Sequence, residues 1–141
     1  MSETLSDPVD IMARTLWGEA RGEGLPGITA VACVIMNRAN NPRWWGKDVV
    51  DVCQKPYQFS CWNENDPNRA KLLAVTTDDI QFRLCLDVAR RAISDTLPDP
   101  TGNADSYYDI SIPTPNWANG ADRTYAVGDL RFYRLELPGL S

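Results

Sequence analysis

The sequence predicts a mainly α-helical domain that finishes in a short β or irregular segment, an α+β chain weighted towards helix. Three observations predict it. Apolar residues recur at helical spacing in three separate stretches. Asp, Thr or Pro stands at the start of each stretch, where helices begin. Past Pro98 the helical period gives way to turn-forming residues and then to a run that alternates apolar and polar side chains.

The first stretch, "SDPVDIMARTLWGEA", offers Asp7 as N-cap, Pro8 at the first helical position and Asp10 in the first turn. Val9, Met12, Ala13, Leu16 and Ala20 follow at helical spacing, and Gly22 stops the helix. A second helix restarts at Pro26 in "LPGITAVACVIMNRA". Ile28, Val31, Ala32 and Ile35 line one face, while Val34 and Met36 widen it enough to make this the most buried element. "NRANNP" ends it, because Asn and Pro both disfavour continuation.

"GKDVVDVCQ" reads as a short helix, and Asp66-Pro67 caps another that runs through Val75. "TTDDIQFRLCLDVARRAISD" is the clearest amphipathic helix. Thr76 or Thr77 is its expected cap, and Ile80, Leu84, Val88 and Ala92 are its expected apolar seam. "YAVGDLRFYRLEL" reads as a small hairpin around Gly128-Asp129. With 141 residues, 43% hydrophobic, no internal repeat and no low-complexity linker, residues 1–141 form a single domain.

Composition removes several classes of function. A net charge of −5 argues against a nucleic-acid partner. No apolar run reaches the roughly 18 residues of a membrane span, so no stable membrane insertion is expected. The polar, acidic "MSETLSDPVD" does not resemble a secretory signal, so the expected site of synthesis is the cytoplasm. Cys33, Cys53, Cys61 and Cys85 contain no C-x-x-C pair, which argues against structural zinc. Cys33 and Cys85 read as small buried hydrophobes, while Cys53 and Cys61 flank a loop and leave open whether they pair.

The chain contains no histidine. Ser-His-Asp triads, Cys-His pairs and histidine-bound zinc are thereby excluded. Catalysis then falls to carboxylates, tyrosines, thiols, lysines or arginines, and carboxylate chemistry points first to glycosidic bonds. No cofactor and no metal are expected.

"RTLWGEARGEG" places Glu19 and Glu23 four apart in the last turn of an apolar helix. Glu19 falls about 75° from the centre of the apolar stripe, at the border of the buried face. A carboxylic acid that donates its proton near neutral pH needs its pKa lifted from about 4.3 towards 6 or 7, and one partly buried wall supplies that. The plainer reading makes both glutamates solvent-facing helix-end residues with Arg21 as an ion-pair neighbour. Negative charge is disfavoured at a helix C-terminus, which counts against choosing glutamate there without a use.

Aromatic residues gather in three loops: Trp44-Trp45, then Tyr57, Phe59 and Trp62, then Tyr107-Tyr108 with Trp117. Aromatic faces in loops stack on sugar rings, and "YQFSCWNEN" adds amide and hydroxyl donors. The competing reading has them capping the core, the expectation for Phe59 and Trp44; for Tyr107-Tyr108 both readings stay open.

"ARTLWGEARGEGLPGITAVACVIMNRA", "VCQKPYQFSCW", "DPTGNADSYYD", "PNWA" and "VGDLRFYR", in that order, resemble the SleB/CwlJ-type cell-wall hydrolases, a family of spore cortex-lytic enzymes and phage or prophage endolysins. The resemblance runs from about residue 9 to residue 134. It implies a compact lysozyme-like domain that cleaves peptidoglycan glycan strands by muramidase or lytic transglycosylase chemistry at the N-acetylmuramic acid to N-acetylglucosamine bond. The first glutamate of E-A-R-G-E, here Glu19, is the implied catalytic acid. Gln58, Phe59, Ser60, Trp62, Tyr107 and Tyr108 are the implied substrate-binding residues, with Arg21 and Glu23 in support. Ser106 stands where the family usually has a histidine before the tyrosine pair, and Leu130-Arg131 stand where another precedes the final F-Y.

The missing secretory signal and missing wall-binding module lead to the expectation of a phage or prophage endolysin, a monomer that meets the wall after the membrane has been opened. A water-using muramidase needs a second carboxylate, for which Asp66, Asp105 and Asp109 are candidates. A non-catalytic sugar-binding module that keeps the fold is the alternative from another class.

Overall fold

The computed structural model describes residues 7–56 and 58–137. Helix α1 spans Pro8–Ala20, with the Asp7 carboxylate accepting from the Val9 amide at 3.1 Å. A 3-10 turn over Arg21–Glu23 redirects the chain, and α2 runs Gly24–Ala39. Gly24 adopts φ 74, a conformation costly for any side chain, which makes the sharp restart possible. Helix α2 carries nine buried residues between Gly27 and Arg38, in keeping with its wide apolar face.

Helix α3 (Val49–Gln54) is capped by Asp48, and α4 (Pro67–Ala74) by Asp66. Helix α5 spans Ile80–Ile93, and two expectations for it are corrected. Its cap is Asp79, whose carboxylate accepts from the Phe82 amide at 2.9 Å, in place of Thr76 or Thr77. Its buried seam is Phe82, Cys85, Val88, Ala89 and Ala92. Ile80, at the first helical position, is 71% exposed, because a start at Asp79 turns the inner face towards Phe82. Helix α1 packs against α2, α3, α4 and α5 and so forms the hub of the helical layer.

The C-terminal part is a three-stranded antiparallel sheet in the order β1-β3-β2, made of β1 (Ser106–Asp109), β2 (Asp122–Val127) and β3 (Leu130–Arg134). The β2-β3 hairpin turns at Gly128-Asp129 as the alternation predicts, but β2 begins before Tyr125, and a bulge interrupts its register between Arg123 and Tyr125. Strand β1 is an addition to the expected elements. Tyr107 pairs with Phe132 and their rings stack at 5.4 Å, so that this face of the sheet closes onto the helices. On the other face Tyr108, Tyr133 and Trp117 form an aromatic cluster. All four cysteines are buried and free, Cys53 and Cys61 included.

Candidate active site

Glu19 lies in the last turn of α1, half-buried, and both its oxygens are held. The Tyr107 hydroxyl donates to Oε1 at 3.0 Å, and the Cys61 backbone amide donates to Oε2 at 3.2 Å. These donors come from 88 and 42 residues away, so the site exists only once the sheet and the 3-10 turn over Ser60–Trp62 have docked on α1. Gly18 permits the docking. A Cβ there would stand 2.8 Å from Cys61 Cβ and 2.9 Å from its Sγ, closer than carbon and sulfur tolerate.

The carboxylate lines a groove of about 630 Å³. Gln58, Phe59 and Ser60 form one part of its wall, and Ser106 to Asp109 of β1 form another. Arg38 and Trp44 stand with Leu135 and Glu136 in the lining, which also includes Ile112, Pro115 and Trp117. Five residues expected to bind substrate (Gln58, Phe59, Ser60, Tyr107 and Tyr108) therefore share the groove with Glu19. Phe59 is only 3% exposed and packs beside Tyr107, so it shapes the wall and offers little face for stacking.

Three expectations change. Trp62 does not line this groove. Its indole N–H donates to Thr15 Oγ1 at 2.9 Å, which turns the ring towards a separate depression beside Gln54 and Asn63. Trp44 is no core cap: it is 50% exposed, while its neighbour Trp45 is 1% exposed and takes that role. Arg21 makes no ion pair with either glutamate among the described residues. It caps the end of α1 through the Trp17 carbonyl at 2.8 Å, lies 4.0 Å over the Trp17 ring and reaches Asn68 on α4. Tyr57, grouped with Phe59 and Trp62 by sequence, lies outside the described residues.

Glu23 holds the hairpin turn, its Oε1 accepting from the Asp129 amide at 3.2 Å. One oxygen each from Glu23, Asp109 and Asp129 lies within 4.8 Å of the others, a donor set that fits a hard cation. Of the candidate second carboxylates, Asp66 is spent on capping α4. Asp105 is fully buried, with its oxygens taken by the amides of Leu135, Glu136 and Leu137 and by the Ser106 hydroxyl. Only Asp109 of the three reaches the groove.

The electrostatics assign donors. Burial, and then the Glu19 carboxylate, push the Tyr107 hydroxyl well above its ordinary value, so it stays protonated and donating. Burial followed by Glu19 likewise raises the Cys61 thiol, which removes it as a thiolate nucleophile. Arg38 was not foreseen. It is 7% exposed, and burial lowers its pKa below the ordinary arginine value while Tyr107, Asp105, Glu136 and Cys53 oppose the shift. Its signal was present in the sequence, since it continues the buried Ile28, Val31, Ile35 stripe at helical spacing.

Fold and groove define a lysozyme-like α+β domain with an anchored carboxylate on its groove wall. The sequence matches the family described as Cell Wall Hydrolase over residues 22–133, and the chain belongs to that family. The spore cortex-lytic enzyme of Halalkalibacterium halodurans is 33% identical over 111 residues, which cover 77% of this chain and 29% of that protein. The spore cortex-lytic enzyme of Bacillus subtilis is 28% identical over 125 residues, covering 87% and 36% respectively. The chain thus spans about a third of the length of these curated relatives.

Among solved structures, the catalytic domain of the germination-specific lytic transglycosylase SleB from Bacillus anthracis superposes with a TM-score of 0.69 at 27% identity, covering 92% of this chain and 95% of that one. The catalytic domain of the Bacillus cereus SleB protein gives 0.68 at 26% identity, covering 90% and 89%.

Proposed function

We propose that the groove binds a glycan strand of peptidoglycan and that Glu19 cleaves the bond from N-acetylmuramic acid to N-acetylglucosamine, acting first as general acid and then as base. The observation that carries this reading is the placement of Glu19: half-buried on the groove wall, each oxygen fixed by one donor and each retaining a further acceptor position. The family match and the likeness to SleB catalytic domains support it.

In the proposed sequence the Glu19 carboxyl gives its proton to the bridging oxygen as the C1–O bond breaks. The C6 hydroxyl of the same muramyl residue adds to C1 and returns its proton to Glu19. The products are a 1,6-anhydro end and a free sugar hydroxyl. No water is consumed, and one carboxylate suffices.

Hydrolysis is the second reading, because Asp109 lines the same groove as Glu19 and is a second carboxylate able to activate a water. Mass spectrometry of digested peptidoglycan separates the two: anhydro-muramyl ends support the lyase, and reducing ends support the hydrolase.

For its setting we propose a monomeric phage or prophage endolysin, made in the cytoplasm and reaching the wall once the membrane is opened. Expressing cells should lyse only after a membrane-permeabilising agent is added. Lysis without one contradicts this setting.

A further inference from the structure

Arg38 is a buried cation that makes no direct ion pair among the described residues, although Asp105 and Glu136 stand near enough to favour its charge. It is more than nine-tenths buried yet lines the groove that holds Glu19. Among the described residues its guanidinium makes no ion pair, and it donates from Nε to the Asp105 carbonyl at 2.7 Å. Each acidic neighbour is committed elsewhere. The Asp105 carboxylate is consumed by three backbone amides and the Ser106 hydroxyl. Glu136 accepts from Trp44 Nε1 at 2.7 Å and faces Arg43 at 4.0 Å. Aromatic rings fix the guanidinium, with centroids of Trp45, Phe59 and Trp44 at 5.4, 5.8 and 5.9 Å.

The Nη edge of Arg38 has no protein partner among the described residues and is not sealed from solvent, so it stays open to an acceptor entering the groove. Its planar fork matches a carboxylate. Beside it Trp44 presents a half-exposed ring to the same groove, with its indole N–H anchored on Glu136, so that one sugar face and one acidic substituent can be met together.

We propose that Arg38 recognises a carboxylate carried by the muramyl residue that binds beside Trp44. The proposal rests on the glycan-cleaving reading above and adds a determinant of specificity to it. Two sources share this chemistry: the lactyl carboxylate of a muramic acid without stem peptide, and the carboxylates of the stem peptide itself.

The test compares kcat and KM on intact peptidoglycan, on peptidoglycan stripped of stem peptides by an amidase, and on each after methyl esterification of its carboxyls. Wild type should show KM raised about tenfold or more on the esterified glycan, the scale of a lost charge-assisted hydrogen bond, with a smaller change in kcat. An effect on stripped glycan assigns the lactyl carboxylate; an effect confined to intact glycan assigns the stem. Arg38→Met should lose the preference for free carboxyls, and Arg38→Lys should keep part of it. Wild type that cleaves free and esterified glycans equally overturns the proposal, whatever the variants do. Failure to cleave any glycan would instead sink the glycan-cleaving reading itself.

Discussion

Replacing Tyr107 by Phe removes one atom from the site and leaves the scaffold in place. The ring keeps its stack on Phe132 at 5.4 Å and its contact with Phe59 at 6.4 Å, while Glu19 Oε1 loses the hydroxyl that held it at 3.0 Å. A hydrogen bond to a charged group is worth about 1.5–3 kcal/mol, so the loss in kcat should be about ten- to a hundredfold if the bond positions the carboxylate in the transition state. Stability should fall by less, about 1 kcal/mol, because the half-buried carboxylate regains water. Initial rates of muropeptide release at several peptidoglycan concentrations, alongside a melting curve, read both quantities. The Tyr107 hydroxyl is raised well above its ordinary value, so it does not itself titrate between about pH 5 and 9. A raised KM with unchanged kcat would refute the reasoning and return Tyr107 to direct contact with substrate.

Gly18→Ala forces a methyl against Cys61 and should cost about 1–3 kcal/mol in urea unfolding; clearing of cells should also slow below the melting transition, because the Cys61 amide moves off Glu19. Asp105→Asn sets an amide N–H₂ against the backbone donors of residues 135–137 and should destabilise by about 2–4 kcal/mol; an unchanged unfolding midpoint would contradict that assignment. Burial raises the thiols of Cys33, Cys53 and Cys85 from 9.0 to about 12. Above about pH 9 the unfolded chain releases protons that the native chain keeps, so each thiol should subtract about 1.4 kcal/mol of stability per pH unit. Their stabilisation is complete below pH 9 and fades towards about 12. Urea midpoints should therefore drop between pH 9 and 11, and a flat profile would show the thiols to be exposed.

What was legible in the sequence was what local chemistry decides. Asp7 and Asp66 announce their helices because an Asx cap needs only the next two or three amides. Helix α5 was found but rotated, since Thr76, Thr77, Asp78 and Asp79 all make acceptable caps and tertiary packing against α1 chose among them. Strand β1 was missed because four residues without clear alternation become a strand only when β3 pairs with them. In Trp44-Trp45 no period tells which ring turns inward, and the pair was assigned the wrong way round for Trp44.

Glu19 stood out because it lies at the border of an apolar stripe, a local property. Its donors did not, because the Tyr107 hydroxyl and Cys61 amide reach it only through long-range docking. Arg21 and Trp62 illustrate the converse: both neighbour the site in sequence, and both are turned to other tasks by Trp17 and Thr15.

The same two bonds that fit Glu19 for catalysis also fit a purely structural tie between α1, the 3-10 turn and β1. Glu19→Gln separates the roles, because the amide keeps the size of the side chain, retains an acceptor oxygen and cannot give up a carboxyl proton. The decisive measurement is clearing of permeabilised cells by wild type and by Glu19→Gln, with melting temperatures taken on the same preparations. The account predicts that clearing falls by at least about a thousandfold while the melting temperature stays within a few degrees. Equal clearing by the two proteins would show that the wall is cut by some other group.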